Sequence, residues 1–232
     1  MLQASHELRH EEQRRVYALE WHPTDPDHLA VAHSRGVMLW RHIDAQRSPA
    51  LHSQLALRGA RSDWLPIQLA WQPHAPATCL AWHPFGGLLV AASVLDNALS
   101  IYDPLRPHKP PQRCRLGVNV GVHALRWSPC GQLLFAGRTD GTFQVFETLA
   151  WRSKIWSHRG SGYLVDAAWS TCASPPALLL VCSAQLFSLH FTAPPPALHA
   201  QLMPLSVPQV YSPEHEVSSG RQRDSSGHGV CL

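Results

Sequence analysis

The sequence has few charged residues and almost no lysine. Charged residues make up 15% of the 232 residues, Lys109 and Lys154 are the two lysines, and the formal net charge is +3. A dedicated nucleic-acid-binding protein concentrates basic residues in a stripe or patch, so this composition argues against direct nucleic-acid binding. The apolar content of 45% is higher than that of disordered chains. We therefore expect a folded protein with a sizeable core.

Long apolar segments are also missing. The longest apolar run covers the six residues 177–182, whereas a membrane helix needs about 20. Residues 1–7 are polar and charged, which is unlike the start of a signal peptide. We expect neither secretion nor a membrane span of the chain's own.

The sequence contains few of the patterns that carry chemistry. None of the six cysteines stands in a Cys-x-x-Cys pair, which favours reduced thiols in a cytosolic or nuclear protein. A Gly-x-Ser-x-Gly elbow and a Gly-rich phosphate loop are absent. His22 and His83 follow tryptophans in equivalent turns, so repetition explains them better than metal ligation. The sequence predicts no catalytic, cofactor-binding or metal-binding residues, and hence a protein that is not an enzyme.

What the chain does contain is an internal repeat. Four segments share an apolar alternation that ends in tryptophan, a turn, a second apolar run, a polar turn and a third run. The anchors are Trp21, Trp82, Trp127 and Trp169, and the last two intervals match the roughly 40–45-residue period of a four-stranded propeller blade. The pattern predicts an all-β propeller-type array. The expected blades are 16–42, 78–103, 120–147 and 163–192, with the start of another strand at 197–205.

The turns and runs inside each repeat support strands. Proline two residues after the tryptophan ends a ladder, and Gly86, Gly131 and Gly141 suit turns that need positive φ. The middle runs 88–92, 133–136 and 178–181 are almost entirely apolar, which predicts central strands that are buried on both faces. Residues 43–66 are expected to form an inserted loop. Residues 69–73 imitate the anchor and are either part of that loop or the outer strand of a blade.

The repeats resemble degenerate WD repeats. Asp96 and Asp140 stand where that family places its turn-bracing acid, and the Trp-Asp pair survives as Tyr102-Asp103. The Gly-His pair that opens many WD repeats is missing, although the strand pattern is intact. By this resemblance, Trp21, Trp82, Trp127, Trp169, Asp96 and Asp140 are structural anchors of the repeats.

Within the WD-repeat proteins, the order of five landmarks is similar to a WD-repeat nucleoporin. The landmarks lie at residues 19–40, 79–98, 121–134, 143–151 and 186–191. The resemblance covers about residues 14–206 and implies about four blades of an incomplete seven-bladed propeller. Propellers have about 4–8 blades, so four have the number needed to close, but an open arc with exposed edge strands is the expected geometry.

The same resemblance implies a function. It implies a non-enzymatic scaffold of the nuclear pore complex that supports nucleocytoplasmic transport through contacts with other nucleoporins, including a transmembrane nucleoporin of the pore membrane. The implied location is the nuclear envelope, with a cytoplasmic pool. The alternative is another WD-repeat adaptor, such as a ubiquitin-ligase substrate receptor.

Three further segments complete the predicted organisation. Residues 1–13 form a short polar lead-in, and residues 207–232 form a polar, disordered tail. Between the second and third repeats lies a proline-rich basic loop. Its default interpretation is a solvated loop, and its functional interpretation is a contact for an acidic partner through Arg106, Lys109, Arg113 and Arg115.

Overall fold

The computed structural model describes residues 8, 15–44, 46–57, 63–69, 75–158, 162–171, 176–183, 185–192 and 198–205. These residues form four antiparallel sheets, and in each sheet four strands that are consecutive in the chain pair in order. The first sheet contains β1 (Val16–Trp21), β2 (His28–His33), β3 (Gly36–His42) and β4 (Trp64–Gln68), and the second contains β5 (Cys79–Trp82), β6 (Leu89–Ala92), β7 (Ala98–Tyr102) and β8 (Gln112–Arg115). The third contains β9 (Val122–Trp127), β10 (Leu133–Arg138), β11 (Phe143–Glu147) and β12 (Arg152–Trp156), and the fourth contains β13 (Leu164–Trp169), β14 (Ala177–Cys182), β15 (Leu186–Phe191) and β16 (Ala200–Leu205).

The segment expected to be an inserted loop is more structured than the sequence suggested. Helix α1 (Pro49–Leu57) lies within it, and β4 begins before its end, so the prediction of a loop over 43–66 was wrong. Pro66 pairs with Trp40 in the first sheet. Proline hid this strand from the sequence pattern, but an edge strand tolerates it because the missing N–H faces away from the ladder. Leu69 is buried just beyond β4, and residues 70–73 lie outside the described part of the chain.

The second and third sheets each carry an outer strand that the repeat pattern did not outline. β8 and β12 are short and carry two basic residues each, Arg113 and Arg115 in β8 and Arg152 and Lys154 in β12, so they lack the apolar alternation that marks the inner strands. β16 falls within 197–205, where another strand was expected to start, and it pairs with β15 as the fourth strand of the last sheet. The lead-in contributes only Leu8 to the described residues, and the tail 207–232 lies outside them.

The sheets follow one another like blades around a propeller. The innermost strands are in contact in sequence, β1 with β5, β5 with β9 and β9 with β13. Each junction between neighbouring sheets holds one apolar cluster. The largest buried side chains of the third junction are Phe135, Phe143, Phe187 and Phe191. Burial of this apolar area between sheets is the main source of stability in such an array.

The two terminal sheets leave apolar surface open. The middle run of the second sheet and that of the third sheet are buried on both faces, as predicted. The same prediction was wrong for β14, because Leu179 is 38% exposed and Ala177 and Val181, on the same face of the strand, are only partly buried. At the other end of the array, Leu19 and Trp21 on β1 are 63% and 51% exposed. The four blades therefore form an incomplete WD-type β-propeller.

Candidate functional site

Three of the anchor tryptophans make the same contact between neighbouring blades. Each donates its indole N–H to the backbone carbonyl of the residue that precedes the anchor of the previous blade. The pairs are Trp82 with Glu20 at 3.2 Å, Trp127 with Ala81 at 3.1 Å, and Trp169 with Arg126 at 2.9 Å. This bond fixes the register of one innermost strand against the next. The repeated position of the tryptophan thus has a structural role.

Trp21 occupies the same place in its own blade but in a different environment. Trp82 is 4% exposed, whereas Trp21 is 51% exposed. The ring of Trp21 contacts the ring of Trp64 at 5.9 Å, within the same sheet. Among the described residues, none accepts a hydrogen bond from the Trp21 indole. Trp21 therefore joins no two blades in this structure.

The Trp-His-Pro turns provide a second contact between blades. The ring of His22 lies edge-on to Trp82 at 4.6 Å, and its Nε2 is 3.3 Å from the carbonyl oxygen of Gly86. His83 lies edge-on to Trp127 at 4.8 Å in the same way, and burial lowers its pKa. Gly86 has a φ of 73°, and a Cβ there would lie 2.1 Å from the His22 ring. Glycine is required both for the turn and for the approach of the histidine.

The two predicted turn-bracing aspartates bind neighbouring basic side chains. Asp96 forms an ion pair with Arg113 of β8, and both side chains are largely shielded from water. Asp140 accepts hydrogen bonds from the backbone N–H and the hydroxyl of Thr142, at 3.0 and 2.7 Å, and pairs with Arg138. Although partial burial opposes the change, these donors lower the pKa of Asp140. Both aspartates hold local structure.

The basic loop divides into a structural part and an exposed part. Arg113 binds Asp96 on the sheet, so its guanidinium is already engaged. Arg115 is exposed at the end of β8. Arg106 and Lys109 are exposed in the loop itself, where Arg106 lies 3.4 Å from Asp103. The structure thus leaves Arg106, Lys109 and Arg115 accessible to a partner, and it gives Arg113 a role inside its own blade.

Glu20 is a site residue that the sequence did not single out. Its carboxylate accepts a hydrogen bond from the backbone N–H of Trp82 at 3.1 Å, between the first and second blades. Burial raises the pKa of Glu20 to about 7, although the Trp82 amide and the charge of Arg126 oppose this change. Alanine stands at the equivalent positions 81 and 168, so the repeat gave no sign of an acid here.

Replacing Glu20 by Gln is expected to stabilise the protein at pH 8 and to leave its stability nearly unchanged below pH 4.5. Because the pKa is raised, the folded state keeps a proton between about pH 4.5 and 7 that the unfolded chain has released. The parent therefore loses stability as the pH rises through this window, by roughly 3 kcal/mol at most. The glutamine variant lacks this dependence. Denaturant unfolding of both proteins from pH 4 to pH 8 measures the difference.

Asp140→Asn is the control of opposite sign. Because the pKa of Asp140 is lowered in the folded state, the parent loses the stability that this carboxylate contributes as the pH falls, and not as it rises. Identical pH dependence in the parent and Glu20→Gln proteins would contradict the assignment of a buried, protonated Glu20.

The described residues contain no group of three or more His, Cys, Asp or Glu side chains placed to hold a metal ion. His6, Glu7 and His10 have the His-Glu-x-x-His spacing that binds zinc when it lies on a helix, a pattern that the sequence interpretation passed over. These three residues lie outside the described ranges.

Burial raises the pKa of the Cys79 thiol to about 12, which keeps that thiol protonated and unreactive. In the described part of the chain, no helix has the length and apolar character to cross a bilayer.

Comparison with known proteins agrees with the repeat structure. The family described as "WD domain, G-beta repeat" matches residues 67–103 and 114–147. The chain is also 34% identical to aladin of Arabidopsis thaliana over 214 residues, which are 88% of this chain and 47% of that relative. It thus spans about half the length of the curated relative that it matches. The chain contains WD repeats and is similar to aladin over most of its own length.

Proposed function

We propose that this chain is a non-enzymatic scaffold of the nuclear pore complex that supports nucleocytoplasmic transport through protein contacts. The observation that carries the proposal is the 34% identity to aladin over 88% of the chain. The sequence landmarks are similar to those of a WD-repeat nucleoporin in the same order. The implied location is the nuclear envelope, with a cytoplasmic pool.

The architecture is suited to such a role. Blades joined by apolar clusters and by the tryptophan and histidine contacts form a stiff body, whereas the turns and outer strands remain free for partners. A rigid array of this kind presents several surfaces at once. Support of partners by surface contacts needs no catalytic residues, in keeping with the predicted absence of an active site.

The basic loop is the surface that we propose for a partner contact. Arg106 and Lys109 are exposed, and the prolines at 104, 107, 110 and 111 limit the conformations that the loop loses on binding. Its charge suits an acidic surface on another nucleoporin, and we place a transmembrane nucleoporin of the pore membrane among the partners. Arg115 extends the positive surface along β8.

Affinity purification of the tagged chain from cells, with partners identified by mass spectrometry, tests the proposal. We expect enrichment of nuclear-pore proteins and a fluorescent signal at the nuclear rim. The variant Arg106→Glu/Lys109→Glu should lower this enrichment at least about fivefold, since the contact would then be repulsive. The control Arg152→Glu/Lys154→Glu makes the same change in charge on the exposed strand β12 and should leave the enrichment intact.

Other outcomes have distinct meanings. Recovery of ubiquitin-ligase subunits without pore proteins would replace the scaffold proposal by the adaptor alternative. Equal loss of pore proteins with both charge-reversed variants would contradict the basic loop as the contact. Absence of pore proteins from the parent purification, with the chain soluble and folded, would overturn the proposed function.

A further inference from the structure

At the two ends of the blade array, the donor and the acceptor of the repeated indole hydrogen bond each lack a partner among the described residues. At the first blade, the indole N–H of Trp21 has no acceptor among the described residues, whereas Trp82, Trp127 and Trp169 each bind the preceding blade. At the last blade, Ala168 is the residue before the anchor, and its position in the pairing with β14 matches that of Arg126 with β10. The carbonyl of Ala168 is therefore the acceptor that a following blade would use.

The turn beside Trp21 is the place where a preceding blade would contact the first blade. In the second blade, the equivalent turn receives His22 against Trp82 and Gly86. In the first blade, the turn at residues 21–26 lines a cavity of about 430 Å³. The blade that would fill this cavity comes before β1 in the propeller order.

The last blade exposes apolar residues that suit packing against this open part of the first blade. Leu179 pairs with Ala168, and the residues at the same position in the second and third blades are Val90 and Phe135. Both of those are fully buried against the next blade, whereas Leu179 is 38% exposed. Further apolar side chains on the same terminal blade are also open to solvent, namely Val165, Met203 and Leu205 at 47%, 51% and 41% exposure.

The contacts inside the array show which strands would meet. The second strand of each blade lies against the innermost strand of the next, β2 on β5, β6 on β9 and β10 on β13. By the same rule, β14 would lie against a β1. Leu8 already packs on the cluster of Leu29, Val31, Met38 and Trp40 in β2 and β3, but β1 itself remains exposed. The β1 part of such a junction, with Leu19 and Trp21, is thus open, whereas its β2 and β3 part already has the side chain of Leu8 against it.

We propose that two copies of this chain associate head to tail, with the last blade of each on the first blade of the other. One chain carries both halves of the contact, so a second copy satisfies both ends at once. Two sets of four blades give eight, which lies within the 4–8 blades of closed propellers. A two-fold axis makes the two junctions identical and stops growth at the dimer.

Light scattering coupled to size-exclusion chromatography measures the oligomeric state directly. We expect a species of twice the 25.8 kDa chain mass that dissociates on dilution. Leu179→Arg and Leu19→Arg should each weaken the dimer at least about tenfold, because each places a charge in both junctions. Trp21→Phe removes the indole donor together with part of the ring and should weaken the dimer several-fold. The control Leu149→Arg alters a residue that is 89% exposed in a turn of the third blade and should have no effect.

Mixing the two arginine variants tests the head-to-tail arrangement and shows that both are folded. A heterodimer of Leu19→Arg with Leu179→Arg has one fully unaltered junction, so mixing should restore dimers that neither variant forms alone. A parent chain that stays monomeric at all concentrations would overturn the proposal. So would dimers that Leu179→Arg leaves intact, or a mixture that restores nothing.

Discussion

Replacing Trp82 by alanine is expected to lower the free energy of unfolding by about 3–5 kcal/mol. Trp82 is 4% exposed and packs in the cluster between the first and second blades. The change leaves a cavity there and removes the indole bond to Glu20 and the ring contact with His22. Urea unfolding followed by circular dichroism measures the loss without depending on tryptophan fluorescence.

Trp21→Ala is the matched control because it alters the same position of the repeat. Trp21 is 51% exposed and contacts Trp64 within its own blade, so its loss should cost less than about half as much in dilute protein. Equal losses for the two variants would show that the bond and burial between blades do not set the stability of the array.

Gly121→Ala is expected to destabilise the protein by about 3 kcal/mol, because the added methyl group would collide with the backbone of Val94 in the second blade. A Cβ on Gly121 would lie 2.0 Å from the carbonyl oxygen of Val94 and 2.3 Å from its carbonyl carbon. Gly121 is held in place by two hydrogen bonds with Thr139, one to its hydroxyl and one from its backbone N–H. Because the obstacle is backbone, no change of rotamer relieves it.

Gly87→Ala separates this collision from the general effect of adding a methyl group to glycine. Nothing lies within 4 Å of a Cβ at Gly87, and its φ is outside the left-handed region. We expect unchanged or slightly increased stability there, since alanine restricts the unfolded chain. Thermal unfolding of both variants gives the comparison, and a loss of similar size at the two glycines would refute the close approach of Gly121 to Val94.

The inner strands of each blade could be predicted from the sequence. Alternation of side chains, the proline after each anchor tryptophan and the turn glycines are local features, and the structure confirms positive φ at Gly86, Gly131 and Gly141. The outer strands β8 and β12 were not predicted, because they lie at sheet edges, carry basic residues and need no apolar alternation to pair. β4 was hidden for a different reason, because Pro66 interrupts its sequence pattern.

For the candidate site, the sequence identified residue types but not their partners. It selected Arg113 with Arg106 and Lys109 as one basic loop, whereas the fold places Arg113 on Asp96. It gave no reason to single out Glu20, whose pKa depends on the packing of a neighbouring blade. Partners separated by many residues along the chain are set by packing, which a pattern in one segment does not contain.

The sequence by itself determined the repeated blade, its all-β character and its turns, because each depends on interactions over a few residues. Only the tertiary structure decided which of the repeated positions are buried in contacts between blades. Trp21 and Trp82 occupy the same place in their repeats, yet one is half exposed and the other buried. Leu179 and Phe135 differ in the same way at the other end of the array. The physical reason is that an anchor is buried only by a neighbouring blade, and the end blades of this array have one neighbour each.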